Sequence, residues 1–398
     1  MPRTRELFCE KTSWQRRKAY TLENGLVRLV TLLGGGHIAE LRFTGSSGLP
    51  DVNPLWIPPW PTIEPYTYNP EVHTARYGGI TEGKLLSGLV GHNLCLDYFG
   101  PPSPEEAAEG LSQHGEAPSA KWQKSGLRVT AHDIALTVGT RLPVACLRFS
   151  RELRLRCGES AVYITETVIN ERKCDHFFHW TQHVTLGPPF LSPGDSAVAI
   201  PATKGMTFPH GYEEGKALLA SKREFRWPRA PKVKGGSVDL TRPFLHEGLG
   251  FVVGLLLDPR RDTGFVAALN CRERLLIGYC FRRQDFPWVA VWEENRGIAA
   301  VPWSRKTQAR GLEFGTTPLP VPRRENFSSG TLFGRPTSTY VPARGQKTIR
   351  YVAFLAHLPA DFGNAPDISL AKDKILVQGS GGKRVSVRAS GLAAAGLV

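Results

Sequence analysis

Apolar and polar positions alternate with a period of two along most of this chain. LRVTAHDIALTVGT (127–140), CLRFSRELRLRC (146–157) and AVYITETVIN (161–170) each put apolar side chains on one face and polar ones on the other. That is the pattern of strands with one covered side. FVVGLLLD (251–258), GFVAALN (264–270), RLLIGYCF (274–281) and TIRYVAFLAHL (348–358) continue the series. Near the start, GLVRLVTLLGGGHIAELRF (25–43) reads as two strands broken at Gly34–Gly36, a hairpin or bulge. Helical periodicity is scarce. SPEEAAEG (103–110) is the best case, with Ser103 as N-cap, Pro104 at the first helical position and two glutamates in the first turn, enough for about two turns. The expected class is all-β, a large antiparallel β-sandwich with few short helices.

Two proline-rich stretches, NPLWIPPWPTIEPYTYNP (53–70) and TTPLPVPRREN (316–326), do not fit central strands. They read as ordered loops, because Trp56, Trp60, Tyr66 and Tyr68 are costly to leave in water. A polar, basic N-terminal extension (1–19), one β-domain (20–378) and a loose tail (379–398) are the expected organisation, without internal repeats.

Composition narrows the function classes. Hydrophobic residues make up 41% and charged ones 22% of 398 positions, ordinary for a globular chain with a large core. No run of about 18 apolar residues suggests a membrane helix, and residues 1–20 lack the apolar segment of a secretory signal. The seven cysteines show no paired spacing, so reduced thiols in a cytoplasmic protein are expected rather than a disulfide or zinc framework. His176, His179 and His183 lack the carboxylates a metal trio would want, and no metal or other cofactor is expected. The net charge of +14 is dispersed in ones and twos, which predicts a solvated basic surface and not a nucleic-acid interface.

Three titratable residues stand beside Gly or Pro where a strand ends: His114 in LSQHGEAPSAKW, His183 in TQHVTLGPPF and Glu313 in ARGLEFGTTPLP. Each alone is an ordinary strand-end residue more often than not. In this order they resemble the aldose 1-epimerase (galactose mutarotase-like) superfamily. A His-Gly pair (His114–Gly115) precedes a tryptophan (Trp122), a second histidine (His183) follows TETVIN, and a Leu-Glu pair (Leu312–Glu313) comes late. The resemblance runs from about Tyr20 to Leu358. Glu116 stands where that family has phenylalanine, and its arginine-bearing element has only Arg76 as a stand-in.

The resemblance implies a galactose mutarotase-like supersandwich and a cofactor-free isomerase that interconverts aldose anomers. Glu313 would act as base and His183 as acid, and His114 would steady the ring oxygen or a neighbouring hydroxyl. Trp122 and Trp180 would stack on the sugar, with Arg76 and Glu294 as further contacts. Glu313 must then be partly desolvated to be a useful base at neutral pH. The partner is a small carbohydrate, with neither nucleic acid nor membrane, and the chain is a monomer or homodimer. Alternatives are a carbohydrate-binding protein on the same fold and a glycoside hydrolase pairing Glu313 with Glu293 or Glu294.

Overall fold

The computed structural model describes residues 7–213 and 215–398. Strands account for 46% of it and helices for 9%, as the period-two pattern predicts. Among the described residues the largest sheet has eleven strands. They run, in spatial order, Phe8–Trp14, Arg17–Glu23, Val27–Leu32, Ile38–Phe43, His92–Cys95, Thr181–Leu186, Gln308–Gly315, Trp288–Asn295, Leu249–Leu257, Ala202–Thr207 and Glu224–Arg226. An eight-stranded sheet faces it, from Ser196–Ala199 at one edge to Gln123–Val129 at the other. Every neighbouring pair in both sheets is antiparallel.

The main core lies between these two sheets. Val184, Leu312, Phe314, Val289 and Val291 from the larger one meet Leu153, Ile164, Ile277 and Tyr351 from the smaller. Polar groups are buried there too. Arg151 donates from Nε to Glu166 Oε1 at 2.6 Å, Gln182 Nε2 donates to Glu166 Oε2 at 2.6 Å, and the Tyr351 hydroxyl donates to Glu166 Oε1 at 2.8 Å. A charge buried this deeply survives only because its partners satisfy it.

Both broad sheets are covered on their second faces as well. Over the smaller one lies a three-stranded sheet, Asp367–Ala371, Lys374–Gln378 and Arg384–Arg388, with Ile375, Val377, Val387 and Leu392 packed on Phe265, Leu276 and Phe354. Over the larger one lie the 53–70 loop, helices Pro70–Tyr77 and Ile80–Leu86, and a cluster of Trp56, Trp60, Tyr77 and Trp303. This explains why all six residues of Thr181–Leu186 are buried.

Three expectations are corrected. The extension 1–19 does not stay apart, since residues 8–19 supply the first strand and part of the second. The tail from Gly379 is not loose, because Val387, Ala389 and Leu392 cover an apolar sheet face. The helix at Pro104–Ala108 is shorter than two turns, though Ser103 and Glu106 form a capping box. No helix among the described residues is long and apolar enough to cross a membrane.

Candidate active site

His183 and Glu313 are paired across two neighbouring strands, Thr181–Leu186 and Gln308–Gly315. Opposed residues send their side chains to the same face of a sheet. Here that face is the outer one, beneath the covering layer, and the two groups close the floor of a cavity of about 360 Å³. His183 Nε2 lies 3.2 Å from Glu313 Oε1.

Glu313 is 2% exposed, and burial pushes its carboxyl well above the usual range. The residue lines the cavity, and its Oε1 is buried without a hydrogen-bond partner. Two residues earlier on the same face, a Cβ at position 311 would overlap that oxygen, so glycine leaves the carboxylate its place.

His183 is held by Thr185, whose Oγ1 is 3.0 Å from Nδ1. With the hydroxyl donating to Nδ1, the imidazole proton sits on Nε2 and faces Glu313. Burial, reinforced by His114, pulls His183 well below the ordinary imidazole value.

His114 reaches the same cavity from the loop before Gly115. Its backbone is left-handed, at φ 69°, a conformation a non-glycine residue adopts only when its surroundings fix it. Nδ1 is 2.5 Å from the carbonyl of Phe99. A carbonyl only accepts, so Nδ1 carries the proton and Nε2 is left as an acceptor. The ring centres of His114 and His183 are 5.0 Å apart, and burial takes His114 down to about 4. Both imidazoles are therefore neutral at neutral pH.

Trp292 forms an aromatic wall, its ring centre 6.1 Å from that of His183. Its Nε1 donates to the Tyr212 hydroxyl at 3.1 Å, which donates to Glu294 Oε2 at 2.6 Å. Glu294 Oε1 accepts from the backbone N–H groups of Gly297 and Ile298. This chain fixes both the tryptophan and the loop beside it. At the mouth stand Glu82, from Ile80–Leu86, and Glu213. Among the described residues no group of three or more His, Cys, Asp or Glu could hold a metal ion.

The structure thus brings His114, His183 and Glu313 together. It does not bring the other expected residues to the cavity wall. Trp122 and Trp180 belong to the core between the sheets, where Trp122 donates to the Ala117 carbonyl and Trp180 to Glu166. Trp180 precedes His183 by three positions, an odd step, so on a strand it takes the opposite face. Arg76 is exposed on Pro70–Tyr77 and lies over the Tyr77 ring. Glu294 stands behind Tyr212 and not in the wall. Trp292 and Tyr212 were not singled out from the sequence. The alternation in VAVWEEN sets Trp292 on the face of Ala290, but only the pairing with Gly311 locates it.

No protein-family model matches this chain, and no curated protein does. Solved structures do. A candidate aldose 1-epimerase from Klebsiella pneumoniae superposes with a TM-score of 0.61 at 14% identity, over 88% of this chain and 82% of that one. A galactose mutarotase-like protein from Clostridium acetobutylicum superposes with a TM-score of 0.54 at 12% identity, over 89% and 100%. A galactose mutarotase related enzyme from Lactobacillus acidophilus gives 0.53 at 13% identity, over 85% and 98%. The chain has the galactose mutarotase-like fold, and likeness at this level of identity extends to the fold alone.

Proposed function

We propose that this chain is an isomerase that interconverts the α and β anomers of an aldose, with Glu313 as general base and His183 as general acid. The observation that carries the reading is a buried carboxylate and a buried imidazole 3.2 Å apart on the floor of one cavity. Glu313 takes the proton from the anomeric hydroxyl while His183 Nε2–H protonates the ring oxygen. The C–O bond of the hemiacetal breaks, the open aldehyde turns about its C1–C2 bond, and the reversed transfers close the ring on the other face.

Each group suits its part. Desolvation gives Glu313 the basicity that an exposed carboxylate lacks at neutral pH. His114, protonated on Nδ1, offers Nε2 as an acceptor, which fits a sugar hydroxyl and not the ring oxygen. Trp292 supplies an apolar face for stacking, the part expected of Trp122 and Trp180. The hydrolase alternative loses its second carboxylate. Glu293 is bound by Arg310 Nε at 2.9 Å, and Glu294 is occupied by Tyr212 and two backbone N–H groups.

The test is anomer exchange followed by NMR magnetisation transfer across a panel of hexoses, pentoses, uronates and sugar phosphates. Wild type is expected to accelerate exchange of at least one sugar, and His183→Ala and Glu313→Gln each to lose about 10²–10⁴-fold in rate. Sugar binding with exchange no faster than buffer would leave a binding protein on this fold.

A further inference from the structure

The chain carries 50 lysines and arginines against 36 aspartates and glutamates, yet its cavity has the opposite sign. Among the described residues no lysine or arginine lines it, whereas Glu82, Glu213 and Glu313 do. The basic groups lie elsewhere. Arg76 is on the outer surface, Arg323 is bound to Asp97 and Glu106, and Arg310 is held by Glu293 on the far side of the strand. With His114 and His183 both neutral and burial favouring the neutral form of Glu313, the charged groups left on the wall are Glu82 and Glu213 at its mouth, both acidic.

Glu82 and Glu213 form no ion pair among the described residues. Both line the mouth of the cavity and are exposed there; partial desolvation, and then the charge of Glu213, raise the Glu82 carboxyl. A cation placed there relieves that repulsion, and an anion deepens it. A second observation points the same way. Glu313 lines the same cavity, and its buried Oε1 receives no hydrogen bond although His183 Nε2 lies 3.2 Å away, so it has room for a donor from the ligand. Trp292 and Trp303 add aromatic faces, which attract cations.

We propose that the cavity takes an aminated aldose, bearing an ammonium group, in preference to its neutral parent, and turns away sugar phosphates and uronates. This rests on the epimerase reading of the same cavity. Recognition of an anionic sugar is ordinarily built from arginine forks, and this wall has none.

The test compares glucosamine, galactosamine and mannosamine with glucose, galactose and mannose, together with N-acetylglucosamine, glucose 6-phosphate and glucuronate. Exchange and binding are measured separately, by magnetisation transfer and by saturation-transfer difference, for wild type and for the double variant Glu82→Gln/Glu213→Gln. At slightly acidic pH and low salt, kcat/KM for one amino sugar is expected to exceed that of its parent by about fivefold, mainly through KM. The preference should shrink with added salt, and in the double variant the ratio should fall to about one. Equal turnover of amine and parent, or faster turnover of the phosphate or uronate, overturns the charge preference and leaves the epimerase reading intact. Preferred binding of amino sugars without exchange supports the charge preference and ends the epimerase reading. If no aldose binds, both fall.

Discussion

A buried carboxylate is a stability problem before it is a catalytic tool. Glu313 has a folded pKa raised by desolvation. From the ordinary carboxylate range up to that raised value, the folded chain holds a proton that the unfolded chain has lost. Stability therefore falls as pH rises through this window. His114 and His183 act in the other direction. Their depressed values, about 4 for His114, make the unfolded chain the better proton binder below the ordinary imidazole range, so stability there rises with pH. Removing the glutamate's charge should then help the fold while ending the proposed proton transfer. Glu313→Gln is expected to be more stable than wild type above neutrality by about 1–3 kcal/mol, with the gain vanishing near the ordinary carboxylate range. Urea melts across pH read this directly, and a variant less stable than wild type at alkaline pH would show that the carboxylate is not desolvated in solution.

The strand pair that carries the site works through what each position lacks as well as what it presents. Gly311 shares its face with Glu313, and a methyl there would strike the end of a movable carboxylate and not the backbone. Gly311→Ala is expected to keep the fold, with a loss in stability under about 1 kcal/mol, while lowering kcat by at least tenfold through a misplaced base. Melting curves and exchange rates on the same preparation separate the two effects. Strand parity also marks what could be read from the sequence. His183 and Glu313 were legible as candidate site residues, although both lie within their strands and not at the strand ends expected, and the need for Glu313 to be desolvated followed from the chemistry expected of it. Trp180 was assigned to the sugar although three positions from His183, and the period of two sends it into the core. Trp122 likewise lies between the sheets, under the Arg151 guanidinium. Trp292 and Tyr212 lay beyond reach because cross-strand register is a long-range property, set by which distant strand docks beside Gln308–Gly315.

At the scale of the whole molecule, the alternation announced an all-β chain, and the fold bears this out. It gave no sign of how many layers would stack, since a half-covered strand and a fully covered one differ only in which polar residues are tolerated. Alternation alone would leave the polar residues of Thr181–Leu186 facing water, and they are buried. The C-terminal residues looked loose for a related reason: Val387 and Leu392 are too few to form a core alone and matter only against the sheet they cover. Deleting residues 379–398 is expected to cost about 3 kcal/mol or more, since it removes those side chains, exposes the apolar face they cover and leaves Lys374–Gln378 paired on one edge only. Chemical denaturation checks this, and an unchanged midpoint would return the segment to the status of a tail. The division between sheet and covering layer has a consequence for inheritance. His183 and Glu313 stand on strands braced from both sides, while Glu82, Tyr212 and Glu213 hang from separate surface segments. On the proposed reading, substitutions accumulating in those segments would alter which molecules are admitted and leave the His183–Glu313 pair as it was, so a lineage could exchange one sugar for another without passing through an inactive ancestor.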